Sequence, residues 1–96
     1  MKNYWEHANK VRIRVAEVKG ICTANHKVGD EWIVQKFTPP DFCGSAYCTL
    51  YASIKTLVFG GKIPWEKNGE VRVACADSIN TVVFTLKAIQ NEAEDK

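Results

Sequence analysis

The sequence lacks any long apolar run, and no hydrophobic segment approaches the roughly 20 residues that a membrane-spanning helix needs. Its first ten residues also lack the apolar stretch of a secretory signal. An excess of one charge is missing as well, because 13 basic and 11 acidic residues leave a formal net charge of +2. We therefore expect a cytoplasmic protein that binds neither membranes nor nucleic acid.

The motifs of well-defined chemistry are absent too. The sequence has no phosphate-binding glycine loop, no nucleophile elbow, no His-Glu-x-x-His zinc motif and no Cys-x-x-Cys pair. No reaction can be assigned from a motif, and whether the chain is an enzyme stays open. With 46% hydrophobic and 25% charged residues, the composition is typical of one globular domain. We expect that domain to span residues 1–96, with flexible ends at 1–9 and 90–96.

The hydrophobic pattern predicts four strands and one helix. Alternation of apolar and polar residues predicts strands over 11–18, 31–37, 71–74 and 81–89. Between the second and third strands, a helix is predicted to begin at an N-cap in Gly44-Ser45 and to stop at Gly60-Gly61. Its apolar stripe consists of Ala46, Leu50, Ile54, Leu57 and Val58. The order β-β-α-β-β predicts an α+β fold, in which the helix packs on one face of a small antiparallel sheet.

Four cysteines and one histidine lie where predicted elements begin or end. They are Cys22, His26, Cys43, Cys48 and Cys75. In a reducing cytosol, several cysteines more often indicate metal binding or catalysis than disulfides. Thiolate and imidazole are ligands of zinc and iron, so we predict a zinc or iron site that draws its ligands from these five residues. A tetrahedral site takes four, so one of the five would have another role.

Two other functions fit the same sequence. Cys43 and Cys48 flank the predicted helix start, where backbone N–H groups stabilise a thiolate, so either residue can serve a thiol redox or transfer reaction. Alternatively, a surface with Tyr47, Tyr51 and Trp65 can bind a small molecule or a partner protein without catalysis. An exposed sheet edge would also favour a homodimer. Each cysteine has a simpler interpretation as a small buried apolar side chain.

Several segments taken together are similar to one protein family. They are Val11-Arg-Ile-Arg-Val15 with Cys22, His26-Lys-Val-Gly29-Asp30, Cys43 with Ala46-Tyr47, Phe59-Gly60-Gly61 with Pro64-Trp65, Arg72-Val-Ala-Cys75-Ala-Asp77 and Val83-Phe84. The chain thereby resembles a family of uncharacterised small proteins, about ninety residues long, mostly from anaerobic bacteria and archaea. The resemblance implies no reaction. In similar sequences the position of Cys48 is often histidine and that of Ala76 proline. A metal-ligand position tolerates exchange of cysteine for histidine and a disulfide position does not, so the resemblance favours metal.

Overall fold

The computed structural model describes residues 4–22 and 24–89. It contains five elements, which are β1 (Lys10–Val18), β2 (Glu31–Val34), α1 (Gly44–Val58), β3 (Glu70–Ala74) and β4 (Val82–Ile89). The order β-β-α-β-β and the small α+β fold are therefore confirmed. No helix within this part of the chain combines the length and apolarity that crossing a membrane requires.

The four strands form one antiparallel sheet in the order β2-β1-β4-β3. Both β1 and β3 pair antiparallel with β4, so these two strands run in the same direction. The loop after β1 and the turn after β3 consequently leave the sheet at the same end, where both strands finish. This end of the sheet carries the candidate site described below.

The core lies between one face of the sheet and α1. Alternate residues of β1 and β4 point into it and are almost fully buried, as the period of two requires. They are Val11, Ile13, Val15, Val82, Phe84 and Leu86. The predicted apolar stripe of the helix is confirmed, because all five of its residues are buried against this sheet face.

The opposite face of the sheet is polar and carries three ion pairs between strands. Arg12 donates to Glu70 at 2.9 Å, Arg14 pairs with Glu31, and a third pair joins Arg72 to Glu17. Exposed pairs of this kind stabilise a fold by at most about 1 kcal/mol each. Each of these three arginines is thereby paired with a glutamate of a neighbouring strand.

Two predicted boundaries were wrong. The second strand was predicted to reach residue 37 but ends at Val34. Its partner β1 begins at Lys10, and the preceding Asn9 donates its backbone N–H to Val58 of the helix at 2.8 Å instead. Without a partner strand, the ladder of β2 cannot continue. The helix N-cap is Cys43 rather than Gly44 or Ser45, because the first helical hydrogen bond runs from Tyr47 N–H to the Cys43 carbonyl.

The N-terminal segment is described from residue 4 onward. Ala8 is buried, and Asn9 also donates its side-chain amide to the Leu57 carbonyl at 3.2 Å, so this segment is joined to the end of α1. Residues 1–3 and 90–96, for which flexible ends were predicted, lie outside the described residues.

Candidate functional site

The loop after β1 and the turn after β3 are hydrogen-bonded to each other at the end of the sheet where both strands finish. The backbone N–H of Lys19 donates to the Thr81 carbonyl at 2.8 Å, and that of Ile21 donates to Oδ1 of Asn80 at 3.1 Å. Gly20 makes the second contact possible. It adopts φ +78°, and a Cβ at this position would lie 2.3 Å from Asn80 Oδ1.

This contact places chemistry-bearing residues from three segments around one pocket. The pocket has a volume of about 300 Å³, and Cys22, His26, Cys43 and Cys75 all line it. Other lining residues divide by character. The apolar ones include Ala46, Val82 and Phe84, and the polar ones are Ser45, Asp77 and Asn80. Four of the five residues that the sequence singles out thus share one cavity.

Cys48 is the residue that the structure does not bring to this pocket. It lies on α1 and is exposed. It lies two positions from the buried Ala46 and two from the buried Leu50, which turns it about 200° away from each around the helix axis. Its side chain therefore faces solvent, as the predicted helical stripe implied.

His26 is fixed inside the protein rather than free in a loop. Its side chain is only 6% exposed. Its ring centroid lies 4.9 Å from that of Trp32, 5.3 Å from that of Phe42 and 6.4 Å from that of Phe84. Its Nε2 accepts the backbone N–H of Cys43 at 3.1 Å. A nitrogen that accepts a hydrogen bond carries no proton, so this arrangement requires the neutral imidazole with its proton on Nδ1.

The three pocket cysteines are half-buried free thiols. Cys43 forms the N-cap of α1 without a side-chain capping bond, so its sulfur does not serve the helix. Cys75 closes β3, and its Sγ accepts the backbone N–H of Val82 at 3.2 Å. Backbone hydrogen bonds to sulfur are among the outer-shell contacts that support metal-bound thiolates.

Asp77 supplies a carboxylate at the exposed part of the pocket. The backbone N–H groups of Asn80 and Ile79 both donate to its Oδ1 at 2.9 Å. These two hydrogen bonds, that of Asn80 above all, lower the pKa of Asp77, because they stabilise the ionised form. The pocket therefore carries a fixed negative charge at neutral pH.

The side chains that line the shared pocket do not form a coordination sphere. Among the residues that the structure describes, no three His, Cys, Asp or Glu side chains are arranged to hold a metal ion. Binding an ion would require the pocket side chains to move closer together. Cys22 lies in the loop between β1 and β2.

Comparisons of the chain with family models, curated proteins and solved structures gave no match. The site is therefore interpreted from its own residues. Three of them that shape it were not singled out in the sequence, namely Phe42, Asp77 and Asn80. The signal for the last two was present in the Asp77-x-x-Asn80 turn, in which an aspartate accepts backbone bonds from residues two and three positions later.

The aromatic surface considered as an alternative is only partly assembled. The rings of Tyr47 and Tyr51 lie 5.8 Å apart, and burial, followed by the nearby Tyr51, raises the pKa of Tyr47. Trp65 lies in the loop between α1 and β3 and is 62% exposed. Within the described part of the chain, no ring contact connects Trp65 to either tyrosine. The three residues do not form one continuous cluster.

Proposed function

We propose that the protein binds one zinc or iron ion in this pocket, with ligands drawn from Cys22, Cys43, Cys75 and His26. The observation that carries the proposal is the common pocket itself. Three thiols and an imidazole arrive there from three segments that are distant in the sequence. All three cysteines also pack against the hydrophobic core, so the proposal rests on their meeting in one cavity with His26 and not on their burial.

The chemistry of the residues supports the same choice. Thiolate and imidazole groups are the common ligands of zinc, and thiolates also bind iron. One backbone N–H already donates to the sulfur of Cys75, as in metal sites whose ligands are held by outer contacts. Because these groups come from three segments, a bound metal would connect them and is expected to stabilise the folded protein.

A second candidate function is thiol redox or thiol transfer at Cys43. It is favoured by the position of Cys43 at the N-cap of a 15-residue helix and in the pocket wall. This function predicts that Cys43 alkylates much faster than a model thiol in metal-free protein. Uniformly slow labelling of the pocket thiols would contradict it.

The experiment is a metal titration of protein purified without oxygen. Zinc and cobalt(II) are titrated against a competing chelator, and the stoichiometry and affinity are measured for the wild type and for single Cys→Ser variants. We expect one equivalent of metal. Cys22→Ser, Cys43→Ser and Cys75→Ser should weaken binding by more than the roughly 10–100-fold cost of losing an outer-shell partner. Cys48→Ser is the matched control and should bind like the wild type.

Two results would contradict the proposal. One is wild-type protein that binds no metal and whose stability is unchanged by chelator. The other is a Cys48→Ser variant that loses as much affinity as the pocket variants, because this would place the site elsewhere.

The cellular setting and the partners belong to the same proposal. Four free thiols are suited to a reducing, cytoplasmic location. β2 and β3 are the outer strands of the sheet, so pairing of either edge with a second copy or with a partner protein would extend the sheet. The mass of the protein in solution measures whether a homodimer forms.

A further inference from the structure

We propose a second ligand for the same pocket, which goes beyond the metal-binding function: in the metal-free protein the pocket binds a small organic carboxylate. The start of α1 and the Nδ1–H of His26 hold the carboxylate group, and the carbon chain of the ligand lies against the apolar wall. Such binding needs no movement of the pocket side chains towards one another.

The first turn of α1 carries backbone donors without partners. The first four N–H groups of a helix have no acceptor within the helix, and here the N–H of Cys43 is bound to His26. Those of Gly44, Ser45 and Ala46 have no acceptor among the described residues. The first turn contains no acidic side chain, so nothing within it offsets the partial positive charge of the helix start. Ser45 and Ala46 line the pocket, and Ala46 is only 1% exposed.

His26 adds a donor from a second part of the chain. Its Nε2 accepts the Cys43 N–H, so its proton lies on Nδ1. This Nδ1–H has no acceptor in the described part of the chain, although the residue is only 6% exposed. No unpaired side-chain nitrogen or oxygen is fully buried among the residues that the structure describes, so Nδ1 retains accessible surface. His26 lines the pocket and aromatic rings enclose it elsewhere, so this donor opens into the pocket.

These donors point to the class of ligand. Buried donors in native proteins are nearly always paired, and the acceptor that suits a helix start is an anionic oxygen, such as that of a carboxylate. His26 lies in the loop before β2 and is independent of the helix, so two separate elements present donors to one space. The pocket therefore lacks an acceptor that a ligand can supply.

The wall beside these donors favours an organic ligand over an inorganic anion. Val82 and Phe84 line the same pocket, whose volume of about 300 Å³ lies at the lower end of the range for small-ligand sites. In such sites an apolar wall holds the body of the ligand and a few polar groups orient one end. Asp77 is the one charged side chain among the described lining residues. It is exposed, so solvent screens its charge from a carboxylate beside the buried Ala46.

The first test follows the two histidines of reduced, metal-free protein by NMR, after the chelator has been removed. Butyrate and benzoate are the probes, butyramide and benzamide are their uncharged counterparts, and inorganic phosphate is an anion without a carbon chain. We expect both carboxylates to shift the Nδ1 signal of His26 saturably and to leave His7 unchanged. The amides and phosphate should bind at least about tenfold more weakly. An unmoved His26, or amides or phosphate that bind as tightly as the carboxylates, would overturn the inference.

The second test places a charge at the helix start. Ser45→Glu puts an acidic side chain in the first turn, which stabilises the helix and repels a carboxylate in the pocket. Ser45→Gln is the matched control, because it has the same size without the charge. With both variants shown to be folded by circular dichroism, benzoate should bind Ser45→Glu at least about tenfold more weakly than Ser45→Gln. Equal affinities would overturn the placement of the ligand at the start of α1.

Both tests use metal-free protein, so they are independent of the metal titration. Absence of carboxylate binding contradicts only this inference, and absence of metal binding contradicts only the proposed function.

Discussion

Replacement of His26 by alanine tests the most specific contact of the site. The substitution leaves the part-buried backbone N–H of Cys43 without its acceptor, which costs about 1–3 kcal/mol. It also removes the ring contacts with Trp32, Phe42 and Phe84, and aromatic pairs contribute about 0.5–1.5 kcal/mol beyond their buried area. We expect the free energy of unfolding to fall by about 2–4 kcal/mol.

Glutamine at position 26 separates the two contributions. Its amide oxygen can accept the Cys43 N–H, so His26→Gln should lose only the ring contacts and remain more stable than His26→Ala by the cost of the unpaired N–H, about 1–3 kcal/mol. Urea unfolding of metal-free, reduced protein followed by circular dichroism measures both variants, and the m-value should stay constant. The reasoning is refuted if His26→Ala is as stable as the wild type, or if His26→Gln is as unstable as His26→Ala.

Three further outcomes follow from the geometry. Gly20→Ala forces a Cβ against Asn80 at a positive φ, so we expect urea unfolding to show a loss of about 1–3 kcal/mol in the free energy of unfolding. In the control Gly44→Ala, the new Cβ meets no atom within 4 Å, so its free energy of unfolding should stay within about 0.5 kcal/mol of the wild type. Equal effects of the two substitutions would argue against the loop contact. Backbone hydrogen bonds lower the pKa of Asp77 in the folded state, so they stabilise the fold at pH values above the unfolded-state pKa of this residue. This stabilisation is lost as the pH falls through the lower folded-state pKa. The stability difference between wild type and Asp77→Asn should therefore shrink on acidification, and a difference that does not vary with pH contradicts this. In native metal-free protein, mass spectrometry should show Cys48 alkylated at the rate of a free model thiol, and a protected Cys48 would mean that its face of the helix is covered.

The fold could be predicted from the sequence because the strand period of two and the helical period of 3.6 residues are both clear. Alternation marked β1 and β4, and the helical stripe from Ala46 to Val58 marked the buried face of α1. The end of β2 could not be predicted in the same way. It depends on where Asn9 bonds to the helix, and that long-range contact leaves no local pattern in residues 31–37.

The site could be predicted from the sequence only in part. The sequence placed the cysteines and His26 at element ends. That the segments carrying Cys22 and Cys75 leave the sheet at the same end follows from β1 and β3 running in the same direction, which the sequence did not predict. The burial of His26 among aromatic rings and its bond to Cys43 depend on tertiary packing, so spacing alone could not indicate them. The helical spacing of Cys48 from Ala46 and Leu50 indicates that it faces away from the stripe, but only the structure separates it from the other four residues.

The most direct measurement is the anomalous scattering of a crystal grown without oxygen and loaded with zinc, recorded at the zinc absorption edge. We predict one peak in the pocket, about 2.3 Å from the sulfurs of Cys22, Cys43 and Cys75. A crystal without a peak there, or with its only peak at Cys48 on the outer face of α1, would contradict the metal-binding function.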